Sequence, residues 1–273
     1  MNWRLVFGGT VVGALVLVAL AAPWIAPADP LEQDLFMELL PPWWMPDADP
    51  TRPLGADSLG RDVLSRLIHG ARPALIVAVV AGALTMLLGT ALGLIAGYRG
   101  GAVDAVISRM VDIWTSFPPV LLAIILVALI GTGLHSVIIA IVLIDWTRFC
   151  RVVRAETMSQ ARMEYVDAAV VGGLRRGAIL MREVLPNVMP LVIVLLTLEM
   201  GIAIIVEAIL SFVGLSVSSD APTWGGMIAE GRQVIYQAWW VLALPMGLIL
   251  LSVLSLNLLG DGLKTALDPV LRR

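Results

Sequence analysis

Three acidic side chains, Asp145, Glu199 and Glu207, stand within otherwise apolar stretches of this sequence. A carboxyl group at membrane depth is costly and faces protein or water rather than lipid, so it marks either a transport path or an interhelical hydrogen bond. Glu199 and Glu207 are eight residues apart, a little over two helical turns, which puts both on roughly one helix face. Both readings stay open for this pair. For Glu207, near the end of its apolar run, a bond that locks helices together serves as well as a path.

Other chemistry has little to stand on. A phosphate-binding G-x-x-x-x-G-K-[ST] loop needs a lysine, and the only one, Lys264, follows Gly262 and Leu263. H-E-x-x-H and G-x-S-x-G are absent, so neither a zinc nor a serine hydrolase is supported. His69 and His135 are too far apart to form a local metal pair. The lone Cys150 excludes an intramolecular disulfide and a cysteine-rich metal site. Twelve methionines scattered through apolar runs read as packing. No catalytic residue, metal site or nucleic-acid contact is expected, and no cofactor on this chain.

The elements that must hold the acids are membrane helices. Of 273 residues 59% are hydrophobic and 14% charged, outside the range of ordinary soluble domains. Predominantly apolar runs near 5–26, 74–97, 106–130, 135–156, 188–212 and 237–259 predict six crossings, each close to the ~20 residues that a helix needs to span the hydrocarbon. The first run, despite an Ala21-Ala22-Pro23 tract, is too long for a typical signal peptide and is read as a membrane helix. Six crossings put both termini on one side. If that side is cytoplasmic, the outer segments hold only Arg52, Arg61, Arg66, Arg72 and Arg232 of the 18 basic residues, as the positive-inside rule requires. Trp24, Trp43, Trp44, Trp224, Trp239 and Trp240 then fall near the outer face, with Trp3, Trp114 and Trp146 nearer the inner half.

Gly89, Gly93 and Gly97 form two overlapping G-x-x-x-G units and predict a face where a neighbouring helix backbone comes close. Phe117-Pro118-Pro119 should kink or start a helix. Two segments lie outside the membrane. The first, 27–72, is net acidic, and its end, 61–69, predicts a short interfacial helix with Asp57 or Ser58 as a cap. It groups with the first span as an N-terminal unit, 1–72, ahead of a five-helix core unit, 73–273. The second, 157–187, predicts a helix over 156–171, a break at Gly172-Gly173, and a second short helix over 174–184 that ends at Leu185-Pro186. Such a hairpin exposes Ile179, Leu180 and Met181 and reads as a docking knob for another protein.

That segment also carries a resemblance. Asp167-Ala168-Ala169, three residues, Gly173, then Leu185-Pro186 resembles the E-A-A-x-x-x-G...L-P loop of permease subunits of binding-protein-dependent ABC importers, with Asp in place of Glu. Pro53-Leu54-Gly55-Ala56-Asp57-Ser58-Leu59-Gly60-Arg61-Asp62 is similar to a signature of the second permease subunit in dipeptide, oligopeptide and nickel importers. So are Glu207-Ala208-Ile209-Leu210-Ser211-Phe212, Thr223-Trp224-Gly225-Gly226, and Asn257-Leu258-Leu259-Gly260-Asp261-Gly262, followed by Leu267-Asp268-Pro269. By itself Thr223-Trp224-Gly225-Gly226 reads as a tight turn with an interfacial anchor.

The resemblance implies an all-α type I ABC importer permease fold in the bacterial inner membrane. Its coupling loop, between the fourth and fifth spans, would use Asp167, Ala168, Ala169, Gly172, Gly173, Leu185 and Pro186. It implies a heterodimer with a second homologous permease, two cytoplasmic P-loop ATPases that carry ATP and Mg²⁺, and an extracytoplasmic binding protein. The competing class is an autonomous secondary transporter or channel, with Asp145, Glu199 and Glu207 as its path.

Overall fold

The structure is a computed structural model that describes residues 2–216 and 221–267. The end of the Leu267-Asp268-Pro269 motif and the terminal arginines lie outside the described residues. Ten helices follow in order: α1 (Trp3–Ile25), α2 (Val63–Arg99), α3 (Gly101–Thr115), α4 (Pro119–Ile130), α5 (Leu134–Gln160), α6 (Glu164–Val171), α7 (Arg176–Ile179), α8 (Leu185–Phe212), α9 (Trp224–Gln233) and α10 (Trp239–Leu267). No named strand occurs among the described residues; the one β-bridge pairs Ala56 with Asp62.

α2 is the axis of the bundle. It packs on α1, α5, α8 and α9. Asp62 caps it by accepting from the Ser65 backbone N–H at 2.8 Å, so the cap is neither Asp57 nor Ser58. The interfacial helix expected at 61–69 does not stand apart. It continues through Pro73 into the second span as one 37-residue rod, about 55 Å long. Pro73 removes one ladder bond. Burial of Val63, Leu67, Ala71 and Ala74 against Trp224, Met227 and Trp240 holds the rod straight across it.

The Gly89, Gly93, Gly97 stripe meets α5. A Cβ added at Gly89 would lie 2.5 Å from the Phe149 Cβ, one at Gly93 2.8 Å from the Cys150 carbonyl, and one at Gly97 2.6 Å from the Arg154 carbonyl. The two backbones are in contact over a little more than two turns, and Cys150 is buried in that seam. A second close seam joins α1 to α10, where a Cβ at Gly8 would lie 2.6 Å from the Leu259 nitrogen and one at Gly262 2.7 Å from the Leu5 Cα.

Among the described residues four helical rods are long and apolar enough to cross a bilayer: Trp3–Ile25, Val63–Arg99, Arg176–Phe212 and Trp239–Leu267. The expected span at 106–130 is two helices, α3 and α4, that meet at 87° across Ser116, Phe117 and Pro118, and the pair makes a fifth span if counted as one. α5 has 27 residues, yet Asp145, Arg148, Arg151 and Arg154 crowd its second half, so composition alone does not mark it as the sixth. The structure therefore supports the permease architecture without a sixth apolar rod. The bend has a local cause: Pro118 and Pro119 supply no N–H donors, and Pro119 sits at the first turn of α4, where none is needed.

Residues 27–62 lie across one end of the bundle. Asp34 and Leu59, Leu39 and Asp57, and Leu40 and Ala56 are joined by backbone hydrogen bonds. Gly60, at φ +70°, packs directly on the Asp34 carbonyl, so the signature glycine is demanded twice, by backbone sign and by space. Thr223-Trp224-Gly225-Gly226 is not an interfacial turn. Thr223 caps α9 by accepting from the Gly226 N–H, Gly225 rests on the Ala208 carbonyl, and Trp224 is 1% exposed, donating its indole N–H to the Leu67 carbonyl at 3.0 Å.

Candidate functional site

At the opposite end of the bundle the chain leaves α5 and turns. The expected helix over 156–171 is two pieces: α5 runs to Gln160, the chain turns through Ala161, Arg162 and Met163, and α6 restarts at Glu164. No glycine or proline marks the break. It is held by the Tyr165 hydroxyl donating to the Gln160 amide oxygen at 2.8 Å and by burial of Val166. Burial also pushes the Tyr165 phenol above its ordinary range.

α6 then ends in a Schellman motif. The Gly173 N–H donates to the Val170 carbonyl at 3.0 Å and the Leu174 N–H to the Ala169 carbonyl at 3.2 Å. Gly173 itself is left-handed, at φ +76°. The four-residue interval from Ala169 to Gly173 is thus the interval from the carbonyl that closes the outer Schellman bond to the left-handed terminator of the helix. Asp167 and Ala168 lie one turn back on the exposed side of α6, and Gly172 is helical at φ −68°.

The second strand of this loop does not stop at Leu185-Pro186. α7, a π-helical turn (Leu180–Val184) and α8 form one continuous 37-residue rod. The Leu185 N–H reaches back to the Leu180 carbonyl, one residue farther than in an α-helix. The wide turn precedes Pro186, which has no N–H to give, so the helix absorbs the proline instead of ending at it. Ile179, expected to be exposed, is 1% exposed and packs with Val166, Val184, Val188, Phe149 and Val153 in one cluster. The exposed apolar tip consists of Val170, Val171 and Leu174, with Met181 alongside; Val171 is 88% exposed. The loop is therefore a knob with a fixed root in the α5–α8 core and a bare apolar crown.

The acids separate into two environments. Glu199 on α8 accepts from the Arg148 guanidinium on α5 at 3.2 Å, and Asp145 lies 3.8 Å from another nitrogen of the same group. Glu207 lies two turns away, fully enclosed, accepting from the Ser211 and Ser216 hydroxyls at 2.5 and 3.1 Å. Arg148 sits between Trp146 and Phe149, the residues that meet Gly89, ten residues from the end of α2. That is about 15 Å along the helix from its Arg99 end. The Arg148 side chain is 45% exposed. A guanidinium beside membrane-spanning helices avoids lipid, so this face of α5 meets water or another protein.

Two ion-pair groups were not legible beforehand. Arg148, Arg151 and Arg154 count toward the inner-side positive charge; on α5, Arg154 forms a bidentate pair with Asp104 of α3, one bond at 2.6 Å. Where residues 27–62 cover the bundle, buried Asp57 accepts from Arg61 at 2.8 Å and from Arg66, and Glu230 on α9 accepts from the same two arginines at 2.7 and 2.6 Å. The only sequence signal for this group was that so many charges in a short signature must find partners when buried.

No group of three or more histidine, cysteine or acidic residues able to hold a metal occurs among the described residues. The arrangement offers a docking knob, a charged face on α5 and a charged clamp at the far end.

Comparison with known proteins agrees with this geometry. Residues 89–273 match the family described as binding-protein-dependent transport system inner membrane component, and residues 1–42 match the N-terminal TM domain of oligopeptide transport permease C. The di/tripeptide transport system permease protein DppC of Pseudomonas aeruginosa is 43% identical over 94% of this chain and 85% of its own. The oligopeptide transport system permease protein OppC of Haemophilus influenzae is 34% identical over 93% of this chain and 81% of its own. Among solved structures, a chain of the MetNI methionine ABC transporter superposes with a TM-score of 0.62 at 18% identity, covering 74% of this chain and 96% of that one, which shows a shared fold. The chain belongs to the binding-protein-dependent transport system inner membrane components, the permease subunits of ABC importers.

Proposed function

We propose that this permease is one half of the translocation pathway of a peptide importer, pairing with a second, homologous permease as a pseudo-twofold heterodimer. The termini and the 157–187 loop face the cytoplasm, and residues 27–62 with α9 face the binding protein outside. Two P-loop ATPases bind and hydrolyse ATP with Mg²⁺; this chain contributes no catalytic group. The Val170, Val171 and Leu174 crown seats in the ATPases, and their closure moves α5 and α8 through the buried root at Val166 and Ile179. Coupling of this kind requires a stiff element with different contacts in two states rather than a reactive side chain.

The capped knob is the observation that carries the proposal, because an exposed apolar crown on a conformationally fixed loop has no use in a lone transporter. Peptides, rather than nickel, are favoured as cargo because the relatives include di/tripeptide and oligopeptide permeases. An autonomous secondary transporter is less well supported. Glu199 is already paired with Arg148, and Glu207 is sealed by two hydroxyls, so the acids form no continuous path. The complex reconstituted with its ATPases and binding protein should take up a tripeptide only with ATP, and a Val171→Cys variant should crosslink to an ATPase subunit. Uptake by this chain alone, without ATP, would overturn the proposal.

A further inference from the structure

A cavity of about 210 Å³ opens beside the Arg148 face of α5, lined by Trp114, Thr115, Phe117, Asp145, Arg148 and Arg151 among others. Its charges are unevenly satisfied. Arg148 is committed to Glu199 at 3.2 Å. Asp145 lies 3.8 Å from Arg148 and shares a side-chain hydrogen bond with Glu199. Among the described residues Arg151 has no carboxylate within 4 Å, and its one hydrogen bond is a 3.4 Å contact with the Thr115 hydroxyl. The cavity thus offers a free guanidinium and, in its wall, an acid of the Asp145 and Glu199 pair, with the Trp114 and Phe117 rings beside them at the α3–α4 bend.

The spacing of these two groups suits one kind of solute. Asp145 and Arg151 are six residues apart on α5, a rise of about 9 Å. An extended di- or tripeptide spans about 7–11 Å. A free peptide carries an ammonium at one end and a carboxylate at the other, and a carboxylate is the partner that a free guanidinium takes most readily. Ring faces beside the charges accept side chains of varied size without selecting among them.

We propose that this cavity is a contact site within the pathway for the charged termini of a short peptide, with Arg151 taking the carboxylate and Asp145 the ammonium. The inference rests on the peptide-import reading above and is tested separately from it. In a Cys150→Ala background a Thr115→Cys substitution places one thiol at the cavity wall. The transporter assembled with its partner permease and ATPases is exposed to a charged methanethiosulfonate reagent. Modification of this chain is then followed by mass spectrometry.

A dipeptide with free termini, at tens of millimolar, should slow modification by about tenfold, the effect of one or two charge-assisted hydrogen bonds. C-amidated and N-acetylated dipeptides should protect far less. Arg151→Gln should abolish the preference for a free carboxylate and Arg151→Lys should retain part of it, while Asp145→Asn should abolish the preference for a free amine. Equal protection by free and capped peptides, a preference unchanged in Arg151→Gln, or a thiol that never reacts would each overturn the site. Any of these with ATP-driven peptide uptake intact leaves the importer standing, whereas absence of peptide uptake by the wild type removes both.

Discussion

Replacing Gly173 by alanine separates backbone conformation from crowding in the proposed ATPase-docking loop. Gly173 is left-handed, at φ +76°, and an added Cβ would meet nothing within 4 Å. Its cost is therefore the intrinsic one of a left-handed L-residue, about 1–2 kcal/mol. The loop could escape by moving to negative φ, but it would then give up the Schellman bonds from Gly173 and Leu174, each worth about 0.5–1.5 kcal/mol. Either way the docking-competent conformation becomes roughly 5- to 30-fold less favoured. Where that conformation is required for binding, the apparent affinity for the ATPase subunits weakens by up to the same factor.

Gly172→Ala is the matched control: its φ is −68° and its Cβ would make contacts of 3.3 Å or longer, so affinity should change by less than about twofold. Gly173→Asn should lie between wild type and alanine, because asparagine tolerates the left-handed region. The assay is titration of the permease pair in nanodiscs with purified ATPase subunits, followed by peptide-stimulated hydrolysis. The reasoning fails if Gly173→Ala binds like wild type while Gly172→Ala does not, or if asparagine is no better than alanine.

Asp57→Asn leaves Arg61 and Arg66 without their fully buried carboxylate and should cost about 3–5 kcal/mol, read as a lower melting temperature in detergent. Gly93→Leu forces a side chain against the Cys150 and Arg154 backbone and the Val153 side chain; a loss of about 1–3 kcal/mol or more is expected, seen as reduced folded yield. Glu207→Gln keeps an oxygen for Ser211 and Ser216 and should transport nearly normally, whereas a proton path would be silenced; an uptake assay with both Gln and Leu variants decides. Trp224→Phe removes the 3.0 Å bond to Leu67 and should cost about 1 kcal/mol, visible in the same thermal scans.

The apolar runs, the Phe117-Pro118-Pro119 break and the G-x-x-x-G stripe were legible because each rests on a local rule: bilayer thickness, missing donors, or the absence of a side chain. The break at Gly172-Gly173 was legible too, since a glycine terminator acts through neighbouring residues. What the chain alone could not tell is where a proline or a charge is outvoted. Pro73 and Pro186 looked like boundaries, yet both lie within long rods, because packing of Val63 and Leu67 at one end and of Ile179 and Val184 at the other outweighs one lost hydrogen bond. Arg148, which in the sequence is only one more inner-side cation, faces Glu199 from 51 positions away. Trp224, read as a surface anchor, is buried because Gly70 leaves room for it. Period, breakers and caps act within a few residues and so belong to the sequence. Which acid meets which arginine, and which proline is absorbed, depend on contacts between distant helices, and only the folded bundle decides them.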